Sequence, residues 1–142
     1  MNIEIVNEIE EKEVGFFVRE TLEKGVDFLV EKGILSKETE IELSVAFLKK
    51  EEIRLLNKQY REKNYFTDIL SFCYAKNSQR LEGEIILCSE AIRENAYQDK
   101  KPFLEELAEV VFHGFLHIYG YNHGKEMFSL QKDFLSNYCR FS

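Results

Sequence analysis

All three histidines of this chain fall in one eleven-residue stretch, His113-Gly-Phe-Leu-His117-Ile-Tyr-Gly-Tyr-Asn-His123. Residues four apart lie on one face of a helix, about one turn from each other. His113 and His117 can therefore aim two imidazoles at a single point. Gly120 can end that helix in a left-handed conformation that is costly for other residues. The chain then turns back and can deliver His123 as a third nitrogen. Three neutral imidazoles suit zinc, and three protein ligands leave a fourth position open for chemistry. Imidazole also binds nickel, copper and iron, so other transition metals fit the same donors. Because the ligands must be unprotonated, metal binding and any activity built on it are expected to fall in acid.

The same spacing, H-x3-H-x2-G-x2-H, is the metal pattern of metzincin peptidases, in which a Glu after the first His is the base. Here that position is Gly114, which cannot accept a proton. A reaction that leans on metal charge more than on a carboxylate base fits better, and phosphodiester cleavage is one. It also wants a cation aimed at the phosphoryl group. Arg61 is the candidate. It ends a basic stripe of Arg54, Lys58 and Arg61 at i, i+4 and i+7, in a segment from Lys49 to Lys63 with 6 basic and 3 acidic residues. Basic residues at a helix C-terminus also serve the helix dipole, so the stripe alone leaves a purely structural role open. Glu106 and Glu109, two turns and one turn before His113, are within reach as acceptors for a second ring N–H, or are simply exposed helix carboxylates.

These residues need a scaffold. The chain has 142 residues with 44% apolar and 32% charged content, enough for one domain with its own core. It contains no apolar run long enough for a bilayer and no secretion signal at its start, so a cytoplasmic protein without a membrane partner is expected. Cys73, Cys88 and Cys139 show no C-x-x-C pairing and read as buried free thiols. The net charge of −7 lies in residues 1–42, which hold 5 Lys/Arg and 12 Asp/Glu; the remainder has 14 of each sign. An anionic substrate bound away from the N-terminal region therefore need not meet a net negative surface.

Alternation predicts strands over 2–6, 41–48, 68–74 and 83–88. Helical spacing predicts helices over 13–32, with Gly33 as C-terminal cap, and over 50–61 through Ile53, Leu56 and Tyr60. Ala75 to Glu82 reads as a polar loop. Ser89 can cap a helix to about Gln98. Pro102 suits the first turn of the next helix, which carries Leu104, Leu107, Val110, Val111 and Leu116 and ends near Gly120. A last helix from about Lys125 to Tyr138 is expected to bury Met127, Phe128, Leu130, Phe134 and Leu135. Four strands among about five helices predict an α/β (α+β) sandwich with one four-stranded mixed sheet and the histidine helix at its centre. Mid-helix Gly114 calls for a local cause, such as room for a ligand or a closely packed strand.

Several ordered segments also resemble a known family. Leu-Ser-Val-Ala-Phe at 43–47 precedes Glu-Glu-Ile-Arg-Leu-Leu-Asn at 51–57, then Tyr60-Arg61-Glu-Lys63, Thr67-Asp68-Ile-Leu-Ser71-Phe72, Gly83-Glu84-Ile-Ile, the histidine motif, and Glu126-Met127-Phe128. Over about residues 43–130 the chain is similar to the YbeY family of bacterial ribosomal-RNA maturation factors. The resemblance implies a metal-dependent endoribonuclease over residues 1–142. It would be single-strand-specific and would act in late 3′-end maturation of small-subunit ribosomal RNA and in ribosome quality control. It implies one zinc per chain on His113, His117 and His123, with Arg61 in place of the family's functionally important arginine. It implies ribosomal RNA, the small subunit and ribosome-assembly proteins as partners, and not DNA. The chain departs from the family pattern at Phe66 and Cys73, where proline is usual, at Glu84 in Gly-Asp, and at Asn122, where an Asp usually precedes the third histidine. Two other readings compete. One is a non-enzymatic assembly adaptor with a fold-securing metal. The other is a different zinc hydrolase, a peptidase included, which needs a carboxylate base near the metal.

Overall fold

The structure is a computed structural model, and it describes residues 1–6, 12–61 and 67–138; the side chains of Arg61 and Tyr138 lie outside that description. Phe66 and Cys139 fall outside it as well. The elements run β1 (Asn2–Val6), α1 (Lys12–Glu31), β2 (Glu40–Phe47), α2 (Lys50–Arg61), β3 (Ile69–Lys76), β4 (Arg80–Leu87), α3 (Ser89–Gln98), α4 (Phe103–Tyr119) and α5 (Lys125–Tyr138). The strands form one mixed sheet in the order β1-β2-β4-β3. β1 and β4 run parallel to β2, and β3 is antiparallel to β4 at the sheet edge. The expected α+β sandwich with its four-stranded sheet and five helices is what forms among the described residues. No described helix is long and apolar enough to cross a membrane.

α4 is the central helix because it is apolar nearly all round. Leu107, Ala108, Val110, Val111, Phe112, Phe115, Leu116 and Ile118 are all buried. One side of it packs on α1 and α5 through an aromatic trio. The Phe112 and Phe134 rings stack with centroids 4.1 Å apart, and Phe28 meets Phe112 edge-on at 5.9 Å. The other side lies on the sheet, and two glycines let it come close. A Cβ on Gly114 would stand 2.4 Å from Cδ1 of Ile69 on β3, so the close-packed strand explains this mid-helix glycine. A Cβ on Gly83 of β4 would stand 2.8 Å from both Ile118 Cγ2 and the Phe72 carbonyl oxygen. α2 covers the opposite sheet face, where Ile53, Ala46, Leu70 and Ile86 form a second, smaller core.

Several local expectations are corrected. The polar loop over 75–82 is a tight hairpin: β3 continues to Lys76 and β4 resumes at Arg80. The side chain of Asn77 accepts from the N–H groups of Gln79 and Arg80 at 2.8 and 2.9 Å and so closes the turn. Polar residues hid these strand ends because they sit where Arg80 pairs with Glu42 at 2.9 Å and Glu82 at 3.2 Å across an exposed sheet surface. Ser89 starts α3 but does not cap it; the cap position is Cys88, with no side-chain hydrogen bond. Pro102 stands at the N-cap of α4 with φ −60° and ψ 146°, one place before the first turn. Leu104 and Phe128, counted as apolar helix positions, are exposed, as is Cys73; Cys88 is buried as expected. Gly33 and Gly120 do take left-handed φ values of 74° and 118° at their helix ends.

The two glycine contacts differ in what a methyl group would displace. At Gly83 it meets a backbone oxygen, which cannot step aside; at Gly114 it meets the tip of an isoleucine. Gly83→Ala is expected to lower stability by about 1–3 kcal/mol through overpacking. Gly114→Ala should cost clearly less, because about 1 kcal/mol of helix propensity offsets the displaced methyl. Urea unfolding of the two variants decides this, and equal losses would contradict the contact analysis.

Candidate metal centre

The three histidines converge. Ring centroids of His113, His117 and His123 lie 4.5, 4.9 and 4.8 Å apart, and their ligand atoms all fall within 4.8 Å of one another. His113 and His117 are half-buried on α4, and His123 is exposed on the loop beyond it. Among the described residues no fourth His, Cys, Asp or Glu joins the group, and Cys73 is not part of it.

The hydrogen bonds fix what the rings offer. His117 Nδ1 lies 3.0 Å from the Tyr121 carbonyl oxygen, which can only accept, so Nδ1 donates. His113 Nδ1 lies 2.9 Å from Gln131 Oε1 on α5 and donates in the same way. With both rings neutral, each presents a bare lone pair at Nε2, and these two Nε2 atoms face each other at 2.9 Å. Two lone pairs so placed repel unless a proton or a metal ion lies between them. Tetrahedral zinc at its usual Zn–N distance would hold them roughly 3.3 Å apart, a few tenths wider. The donor set therefore fits a metal ion, and the trio could hold one.

The backbone around Gly120 builds the third corner. Its left-handed conformation turns its N–H onto the carbonyls of Leu116 and His117, both at 3.1 Å, and Tyr121 N–H follows onto Leu116 at 3.0 Å. This ends α4 two residues after His117 and brings the Tyr121 carbonyl to the His117 ring. His123 then comes back over the helix end.

The histidines floor a cleft of ≈ 420 Å³ between the β3 edge, α2, α4 and α5, which Asn57, Asp68, Ser71, Glu109 and Gln131 also line. Asp68 is held by Asn95 Nδ2, which donates to its Oδ2 at 3.3 Å. Burial pushes its carboxyl pKa above the ordinary carboxylate range, against the pull of a backbone hydrogen bond. Glu106 and Glu109 are not the acceptors for the histidine ring N–H groups. They pair instead with Lys101, whose Nζ lies 3.0 Å from Glu106 Oε1 and 2.6 Å from Glu109 Oε2. Glu106 is buried rather than exposed, and burial raises its pKa.

Spacing thus brought His113, His117 and His123 to one point, as read. Arg61 ends α2, but its side chain lies outside the described residues. Of its stripe, Arg54 is engaged by Glu51 at 2.8 Å. Gln131, the Tyr121 carbonyl and the place of Asp68 in the cleft do not follow from the spacing. A backbone acceptor leaves no trace in residue identity. Gln131 comes from a second helix whose phase relative to α4 is a tertiary fact. Asp68 did carry a signal, since it sits inside the Thr67-Asp68-Ile-Leu-Ser71-Phe72 segment that stood out beside the histidines.

Comparison with known proteins gives the family. The family model described as Endoribonuclease YbeY matches residues 4–139. A protein named Endoribonuclease YbeY from Staphylococcus carnosus (strain TM300) is 39% identical over 114 residues, covering 71% of this chain and 74% of that protein. Its namesake from Staphylococcus saprophyticus is 38% identical over 114 residues with the same 71% and 74% coverage. The solution structure of TM1509 from Thermotoga maritima superposes with a TM-score of 0.65 at 31% identity, over 94% of this chain and 87% of that one. With a match from near its first residue to near its last, and with the histidine cleft in place, the chain belongs to the Endoribonuclease YbeY family.

Proposed function

We propose that residues 1–142 act as one zinc-dependent endoribonuclease domain that hydrolyses single-stranded RNA, with small-subunit ribosomal RNA near its 3′ end as substrate. The observation that carries the reading is the pair of Nε2 lone pairs facing each other at 2.9 Å beside a third imidazole, in a chain of this family. His113, His117 and His123 are the ligands. When bound, zinc supplies Lewis acidity toward a phosphoryl oxygen and an activated water. Gln131 and the Tyr121 carbonyl hold the first two rings in the tautomer that ligation needs.

Arg61 is the cation for the charge that develops on the phosphoryl group. Register supports this role: Asn57 lines the cleft, and Arg61 follows it by four residues on α2. Asp68 and Ser71 offer a half-buried carboxylate and a hydroxyl on the wall across from α4, where they can accept from and donate to ribose or water. The peptidase alternative loses ground, because Gly114 stands where that motif carries its base and packs against Ile69. A structural metal with a closed shell would want a fourth protein ligand, and none joins the trio among the described residues. The small ribosomal subunit and ribosome-assembly proteins are the partners this substrate brings, in the cytoplasm.

Two outcomes follow. Purified zinc-loaded protein should cut single-stranded RNA, chelation should stop it, and Arg61→Ala should slow it by about 10²–10³-fold while metal content stays at one per chain. Metal-loaded protein that leaves RNA intact, even with ribosomal particles present, contradicts the assignment. Gln131→Leu should weaken zinc about 10–100-fold in a competitive chelator titration, because His113 loses the acceptor that fixes its ring. Unchanged affinity would show that the Gln131 contact does not set the tautomer.

A further inference from the structure

α5 carries an exposed aromatic that its amphipathic pattern does not explain. Met127 and Phe134 point into the core, yet Phe128 is 68% exposed. Around the helix axis, Lys125, Gln131 and Lys132 all lie within about 60° of Phe128. Gln131 is the residue that both lines the cleft and holds His113 at 2.9 Å. Lys125 and Lys132 are exposed, and among the described residues neither has an ion-pair partner. The acidic residues of α5 lie elsewhere: Glu126 and Asp133 are more than about 120° away from Phe128, and Asp133 is tied to Lys32 at 2.6 Å. The stripe begins at the metal loop itself, since Phe128 N–H donates to the Gly124 carbonyl at 3.0 Å, one residue past His123.

From this we infer a nucleotide-binding rail on α5, in which a base of single-stranded RNA stacks on Phe128 and flanking phosphates contact Lys125 and Lys132. The rail leads the strand past Gln131 into the histidine cleft. An exposed ring between two unpaired ammonium groups is the combination that sequence-tolerant single-strand binding uses, with stacking on the ring and charge along the backbone. The cleft walls strengthen the case for an outside rail. Asp68, Glu106 and Glu109 line the cleft, the last two offset by Lys101, so cations beyond it add to the attraction for a polyanion. A lone exposed aromatic would signify little; this one has two matched cations, no carboxylate on its face, and continuity with the metal site through Gln131.

The inference rests on the proposed function and is tested so that the two can fail separately. The probe is a fluorescein-labelled, 2′-O-methyl single strand of about ten nucleotides, which cannot be cut by its own ribose hydroxyls and whose integrity is read on a denaturing gel after each titration. It is titrated by anisotropy into the zinc-loaded full chain at several salt concentrations. Phe128→Ala and Phe128→Leu should each raise Kd about tenfold, while Phe128→Trp keeps it near wild type, because the ring and not apolar bulk does the stacking. Replacing Lys125 and Lys132 together by Gln should reduce the slope of log affinity against log salt by about 1.4, the value for two single-strand phosphate contacts.

Phe128→Leu binding as well as wild type, or an unchanged salt slope, overturns the rail. If a poly-glutamate peptide displaces the strand as readily as unlabelled RNA does, the face is a general site for acidic ligands and the assignment to RNA falls. A wild-type protein that binds and cleaves RNA yet ignores these changes removes only this inference. A wild-type protein that does neither removes the proposed function beneath it.

Discussion

Two imidazole nitrogens 2.9 Å apart, each with its ring partner already committed as a donor, are the constraint on which this architecture turns. Left to themselves, two aligned lone pairs would push the rings apart. They are held because each ring is anchored from behind, His113 by a glutamine on the next helix and His117 by the carbonyl of the turn that ends its own helix. The arrangement is costly without a cation and favourable with one, so binding free energy can be directed into the fold at this point.

Much of the remaining structure keeps those anchors still. α4 is wedged between an aromatic cluster and a sheet, and Gly114 and Gly83 remove the side-chain bulk that would lift it off β3 and β4. Close approach places the β3 edge, with Asp68 and Ser71, beside the histidines. The same packing fixes α5, because Phe134 stacks on Phe112 and thereby sets where Gln131 and Phe128 stand. Core and site are in this sense one object: the ring contact that stabilises α5 also determines the phase of the residue that orients His113.

How much of this was legible in advance depended on range. The strand and helix periods, the Gly33 and Gly120 caps and the i, i+4 histidine pair are local, and they appeared as read. The errors share a different cause. Phe128 is exposed where burial is expected, because an apolar residue at helical spacing cannot reveal which way its helix is turned relative to the sheet. The hairpin at 77–79 was hidden because cross-strand ion pairs around Arg80 make strand ends look like loop. Gln131 and the Tyr121 carbonyl needed the tertiary arrangement. The family resemblance carried residue roles, such as that of Arg61, which no local pattern singles out.

The central claim is that the three rings hold one metal ion and leave a vertex free. X-ray absorption at the zinc edge of the reconstituted full-length protein tests it most directly. The account predicts three imidazole nitrogens and one light-atom ligand that an added small anion can replace. A sulfur scatterer, a fourth protein ligand that resists replacement, or fewer than three imidazoles around the metal would contradict it.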